Sequence, residues 1–195
     1  IVALCSVKEY ENGTIKRHEY TRQDKEDDRT RHVTEQGANA EPVFLTYKAV
    51  PYIDSIVDKI RSKPPTYDIV AEDGIGHTIW IISEEPHIYA IRHLFDAVPA
   101  LYIADGHHRT AAAIRYGQAR RAASNSNSVG EEESFESFMA VMFPHNQLKV
   151  MDYNRIVKDL NGLSVEQFLL KIQEKFVAKL SNERNPSAVL SFGLS

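Results

Sequence analysis

Only one cysteine occurs in 195 residues, Cys5. A lone thiol forms no internal disulfide and no cysteine-based metal cage. Its neighbours Ala3, Leu4 and Val7 are apolar, which predicts a buried strand residue rather than a reactive thiol. The lack of paired cysteines fits a reducing cytosol, so the expected location is cytoplasmic. No apolar run reaches the roughly 20 residues of a membrane span. A basic excess is also missing. Lys and Arg number 23 against 27 Asp and Glu, for a net charge of -4. That leaves no bulk basic field to recruit nucleic acid.

What is present is ordinary for a globular chain: 43% hydrophobic and 26% charged residues. This excludes wholesale disorder and a disulfide-stapled miniprotein. Residues 1–10 read as a strand. Asn12-Gly13-Thr14 matches a glycosylation sequon, but with no signal peptide to read, Asn-Gly is taken as a hairpin turn leading into residues 14–19. Residues 21–36 are dense in charge, a surface helix or a mobile loop with Gly37 as its stop. Residues 42–47 form a buried strand. Tyr52, Ile53, Ile56, Val57 and Ile60 have helical spacing, ended by Pro64-Pro65.

Residues 67–70 and 77–82 read as a hairpin or two neighbouring strands around Glu72-Asp73-Gly74. Trp80 is expected in the core. Ile88, Ile91, Leu94 and Phe95 mark a helix, 100–104 a strand, and 107–123 an alanine-rich helix. Residues 124–133 read as a flexible loop. Strands follow at 138–143 and 148–153, then a helix capped by Ser164 with Phe168, Leu169, Ile172 and Phe176 on its apolar face. The alternation predicts one mixed α/β (α+β) domain over residues 1–195.

The chemistry concentrates at Ala104-Asp105-Gly106-His107-His108-Arg109-Thr110. A strand ends in Asp-Gly, and a small-residue helix follows. Gly106 permits a sharp turn and a close approach by a ligand. The free amides of the first helical turn and the helix dipole favour an anion. Arg109 offers a planar fork of donors suited to phosphate. His107 and His108 exchange protons near neutral pH. Asp105 either accepts a hydroxyl proton, holds a divalent cation, or merely caps the helix. Adjacent histidines point to different sides of a helix, so this pair alone does not make a two-histidine metal site.

Three other polar clusters carry alternatives. Residues 16–32 contain His18-Glu19, which suggests a zinc protease, but Arg22 stands where the second histidine is needed. This run is either a solvated face or a binder of a polyanion and its metal. Glu72-Asp73-Gly74 with His77 and Thr78 is a magnesium or base site, or an acidic hairpin turn. Asp152-Tyr153-Asn154-Arg155 with Lys158 lines a cleft or connects elements.

The string from Tyr102 to Arg109 resembles the hallmark of an uncharacterised family with an Ala-Asp-Gly-His-His-Arg signature. Residues 15–32, Pro42 to Tyr47, Asp73-Gly74 with His77-Thr78, and Asp152 to Leu163 look like further motifs of that family. The resemblance spans nearly the whole chain. It implies longer members, with regions before Ile1 and after Ser195, so the chain is expected to be a piece of a longer protein.

Gly106 and Arg109 are also similar to the Gly-x-x-Arg box of ParB- and sulfiredoxin-like proteins, with a mixed sheet flanked by helices. In those proteins the box opens a helix and holds nucleotide phosphates. Members include a CTP-hydrolysing partition switch, an ATP-dependent sulfinic acid reductase and free-serine kinases using ADP or ATP. The reductase needs a cysteine in its box, where this chain has His107-His108.

The resemblance therefore implies a nucleotide-dependent phosphotransferase acting on a small, amino-acid-like hydroxyl compound. ATP or ADP and Mg2+ are the implied cofactors. Asp105, Glu19, Asp73 and His108 are the candidate catalytic residues. Gly106, His107, His108, Arg109 and Thr110 are the candidate phosphate contacts, and Asp105 and Glu72 the candidate metal ligands. A nucleotide-binding switch without turnover is the alternative, and nuclease activity is disfavoured by the acidic charge. The expected partners are a nucleotide and a small metabolite, with neither nucleic acid nor a membrane.

Overall fold

The computed structural model describes residues 1–123, 134–151 and 158–177. Contacts divide the chain into two compact units, Ile1–Leu148 and Lys149–Ser195.

In the first unit, β1 (Val2–Ser6) gives way at once to α1 (Val7–Glu11). Ser6 caps that helix, its Oγ accepting from the Lys8 amide at 3.2 Å. Val7 is wholly buried, and Tyr10, one helical turn on, packs against the same core. The predicted strand over residues 1–10 therefore breaks at Ser6. The Asn12-Gly13 hairpin is also corrected. Asn12 Oδ1 accepts from the Thr14 amide at 2.9 Å, and Gly13 turns with φ 84°. The turn ends a helix instead of joining two paired strands. The short β2 (Ile15–Lys16) pairs with a strand some 85 residues later, not with β1.

α2 (Gln23–Gln36) is the helix that the charged stretch allowed, and Gly37 ends it in the left-handed region at φ 63°. β3 (Val43–Tyr47) alternates buried and half-buried residues, with Val43, Leu45 and Tyr47 inward. α3 (Pro51–Arg61) follows, with proline at its first turn, where no amide bond is lost. β4 (Tyr67–Val70) and β5 (Gly76–Ile79) form the expected hairpin as a separate two-stranded sheet. α4 (Glu85–Asp96) leads to β6 (Leu101–Asp105) and α5 (His107–Ala123), whose limits are those read from the sequence. β7 (Ser137–Pro144) closes the main sheet.

The main sheet has the order β1-β7-β3-β6-β2. β1 runs antiparallel to β7, β7 parallel to β3, β3 antiparallel to β6, and β6 parallel to β2. This is a mixed sheet flanked by helices. Phe138, Leu45, Ile103, Ile15 and Tyr47 are almost wholly buried in its core. Burying one such side chain contributes about 1.5–3 kcal/mol. α5 crosses the sheet at β3 and β7, and α2 packs on α5. Ala111, Ala112 and Ala113 are buried on α5, where their small side chains let neighbouring elements come close.

Cys5 is buried as expected, 3.9 Å from Met142 Sδ. Trp80 is not a core residue. It is half-buried, donates from Nε1 to the Lys63 carbonyl at 2.9 Å, and lies under the Arg61 guanidinium. An indole with a polar edge sits well at such a boundary. The described part of the predicted 148–153 strand, residues 148–151, has no strand, and Val150 and Met151 are almost fully exposed. The predicted loop 124–133 and the cluster Asp152 to Arg155 lie outside the described residues.

In the second unit, α6 (Val165–Gln173) begins with a full capping box between Ser164 and Gln167. Phe168 and Ile172 are its half-buried face.

Candidate functional site

β6 lies inside the sheet, with β2 paired to its first residues, Leu101 and Tyr102, and β3 paired along it as far as Asp105. The β3–β6 ladder shifts register between Phe44 and Leu45. Irregularities of this kind re-aim the chain at the end of a strand. Gly106 then takes φ 90°, a left-handed conformation that bulkier residues avoid. A Cβ there would stand 3.0 Å from Arg109 Nε. The strand thus turns into α5 with Arg109 folded back against the turn.

Arg109 is heavily engaged. Nη2 donates to Asp105 Oδ2 at 2.7 Å, and Nη1 donates to the Pro42 carbonyl at 2.8 Å beside Glu41 at 3.1 Å. It ties the start of β3 to the end of β6. Thr110 turns its hydroxyl onto the Gly106 carbonyl at 3.0 Å and is wholly buried. Asp105 spends its Oδ2 on Arg109 and does not cap the helix. The amides of His107, His108 and Arg109 meet no acceptor among the described residues.

The two histidines diverge. His108 Nε2 accepts from the Arg22 amide at 3.2 Å, so the start of α2 lies beside the start of α5. His107 is buried and turns towards the segment that leads out of β2. Its ring meets that of His18 edge-to-face, with centroids 4.4 Å apart. Its Nδ1 lies 3.5 Å from Glu19 Oε1. Its Nε2 is buried without a hydrogen-bond partner among the described residues. One ligand atom each from His18, Glu19 and His107 lies within 4.8 Å of the others. Burial holds the His107 pKa below its ordinary 6.5, and His18 pushes the same way, against the opposing pull of Glu19 and Asp105. The imidazole is therefore neutral near pH 7.

Of the residues picked from the sequence, Glu19, Asp105, Gly106, His107, His108, Arg109 and Thr110 gather around the start of α5. Glu72 and Asp73 do not join them. They sit at the tip of the β4–β5 hairpin, whose strands pair only with each other. Asp73 Oδ1 accepts from the Ile75 amide at 3.0 Å, and Gly74 turns with φ 80°. That carboxylate serves its own turn. The charges that bear on His107 are those of His18, Glu19, Asp105 and His108, with neither hairpin acid among them.

His18 is the residue that the sequence offered only within a rejected zinc-protease motif and not as a candidate site residue. The His18-Glu19 pair lacked its helical partner, and His107 supplies that partner from 89 positions later. Only the joint presence of histidines in two separate motifs hinted at it.

A broad groove of about 640 Å³ is lined by Tyr10, Glu11, Ile15, Lys16, Arg17 and Gln118, and none of the cluster residues lines it. A smaller crevice of about 70 Å³ lies behind Arg109, against Arg29, His32 and Gln36 of α2. That crevice is too small for a nucleotide, for which pockets run to roughly 300 Å³ and more.

Fold and site together define a mixed α/β protein with a glycine-turned helix start beside a His-Glu-His cluster. All of the chain, residues 1–195, matches the model of the family described as "Protein of unknown function (DUF1015)", and the chain belongs to that family. No curated protein and no solved structure matches it. Among the described residues no helix is long and apolar enough to cross a membrane.

Proposed function

We propose that the segment from Asp105 to Thr110 binds the phosphates of a nucleotide, and that the protein transfers a phosphoryl group to the hydroxyl of a small metabolite. The observation that carries this reading is the open start of α5. Three consecutive amides, of His107, His108 and Arg109, lack acceptors among the described residues where Gly106 bends the chain. Amides so aligned, with the helix dipole behind them, suit an anion. The start of α2 beside His108 adds a second positive helix end. The likeness of Gly106 and Arg109 to the ParB- and sulfiredoxin-like box supports the same assignment, as does the likeness to free-serine kinases for the acceptor.

The parts then divide as follows. The amides and His108 face the phosphates. Arg109 braces the turn through Asp105 and Pro42. Glu19, beside His107, is the carboxylate assigned to orient an acceptor hydroxyl. ATP or ADP supplies the phosphoryl group, with Mg2+ shielding its charge and Asp105 as the nearest protein oxygen ligand. Glu72 has no part in this arrangement.

A second reading is a nucleotide-binding switch without turnover. It is favoured by the Asp105–Arg109 pair at 2.7 Å, which occupies an oxygen of the carboxylate nearest the box.

The test is direct. The full chain is incubated with ATP, ADP or CTP, Mg2+ and a pool of hydroxyl metabolites, and phosphorylated products are sought by mass spectrometry. Nucleotide binding is measured in parallel. Binding with product supports transfer, and binding without product supports the switch. Absence of binding, or binding that is unchanged in Gly106→Val, overturns the phosphate assignment.

A further inference from the structure

We propose that His18, Glu19 and His107 form a binding site for one divalent transition-metal ion, of the zinc or ferrous class, with an open coordination position. The proposal does not depend on nucleotide binding at the α5 start.

The geometry carries it. Nδ1 of His107 stands 3.5 Å from Glu19 Oε1. That is long for a strong charge-assisted hydrogen bond, which runs to about 2.7–2.9 Å. It is close to the separation of two ligands on one tetrahedral ion, about 3.4 Å for bonds of about 2.1 Å. The His18 ligand atom completes the group within 4.8 Å. Closing that remaining gap takes only a small rotation of exposed side chains, since His18 and Glu19 are both on the surface.

The second observation is His107 itself. Its side chain is 5% exposed, and its Nε2 finds no protein partner among the described residues. Burying an imidazole with its hydrogen-bonding capacity unmet is costly. A metal bond at Nδ1, the nitrogen that faces Glu19, gives the buried ring a compensating interaction, while Nε2 stays without a protein partner among the described residues.

The ligand chemistry selects the ion. Two imidazoles and one carboxylate suit zinc, iron or cobalt, whereas magnesium prefers oxygen donors and keeps its waters. Three protein ligands leave at least one position for water or a ligand oxygen.

The experiment uses the full chain, stripped with EDTA and titrated with Co2+ in the absence of nucleotide. Visible absorption and equilibrium dialysis are the readouts. The expected result is one Co2+ per chain with new d–d bands, displaced by Zn2+ and not by about a hundredfold excess of Mg2+. His18→Ala and Glu19→Gln lie on the surface and leave the fold intact by circular dichroism. Each is expected to weaken Co2+ binding about tenfold or more. His32→Ala, an exposed histidine paired with Asp28, serves as the control and leaves binding unchanged. Failure of the parent chain to bind one equivalent overturns the site. So does retention of full affinity in either His18→Ala or Glu19→Gln.

Discussion

His108 Nε2 accepts a hydrogen bond from the Arg22 amide at 3.2 Å, joining the first turn of α5 to the cap position of α2. Arg22 gives α2 no side-chain cap, so this contact pins the only end of the helix that a glycine does not close. His108→Ala removes the acceptor. The Arg22 amide is then expected to exchange its proton faster with solvent, while core amides of β3 and β7 keep their protection. Hydrogen exchange read by NMR or mass spectrometry checks this. Unchanged exchange in the Arg22 segment would mean that α2 holds its start by other means.

Gly106→Ala meets two obstacles. A left-handed φ costs a residue with a Cβ about 1–3 kcal/mol. The new Cβ also arrives 3.0 Å from Arg109 Nε and pushes on the pair with Asp105. The variant is expected to lose about 1–3 kcal/mol in urea unfolding and to bind nucleotide more weakly than the parent chain. Full stability in this variant would show that the turn relaxes freely.

Gly117→Ala sets two magnitudes against each other. In a helix interior, alanine is favoured over glycine by up to about 1 kcal/mol. Here the added Cβ would lie 2.7 Å from the Phe135 carbonyl oxygen, which is backbone and cannot rotate away. Overpacking of this kind costs about 1–3 kcal/mol, so the clash wins. A lower melting temperature than the parent chain is expected in a thermal scan. A higher one would mean that the segment around Phe135 moves aside without cost.

Arg121 grips Glu136 with two bonds of 2.6 Å and reaches Glu11 as well. The paired guanidinium holds the Glu136 carboxyl below its ordinary 4.5, chiefly through these hydrogen bonds. A carboxyl depressed in the folded state stabilises the fold above its unfolded pKa. That contribution declines as pH drops below 4.5 and is gone once pH has fallen through the folded pKa. Glu136→Gln is expected to flatten this part of the acid limb in urea midpoints taken from pH 6 downwards. It should also lower stability at neutral pH by about 1–2 kcal/mol, because Arg121 is partly exposed and screened. An identical acid limb in parent and variant would assign the loss to other carboxylates.

Burial, with a smaller push from Glu9, raises the Cys5 thiol to about 12. A protonated buried thiol is a poor nucleophile. At pH 8 the native chain is expected to resist a disulfide reagent such as Ellman's, and the unfolded chain in guanidinium to react promptly. Rapid labelling of the native protein would show that β1 opens readily at its edge of the sheet.

Local spacing along the chain was sufficient for what is decided locally. The limits of α5, the glycine stop after α2, the Ser164 cap and the β4–β5 turn all rest on contacts within a few residues. The start of α5 as the place where polar groups gather was legible in Asp105-Gly106 for the same reason. Pairing was not. β1 joins β7 from more than 130 residues away, and β2 joins β6, because the sheet chooses partners by burial across the whole core. Asn12-Gly13 has the chemistry of a hairpin, yet Ser6 and Val7 start a helix before it, so the turn closes that helix instead. Glu72-Asp73 looked as chemical as Glu19, and only the tertiary structure separates a turn that uses its own carboxylate from one that meets His107. The approach of His18 and Glu19 to His107 joins segments 88 and more positions apart. No local period records such a contact, because it is produced when β2 docks beside β6 and brings the start of one motif against the end of the other.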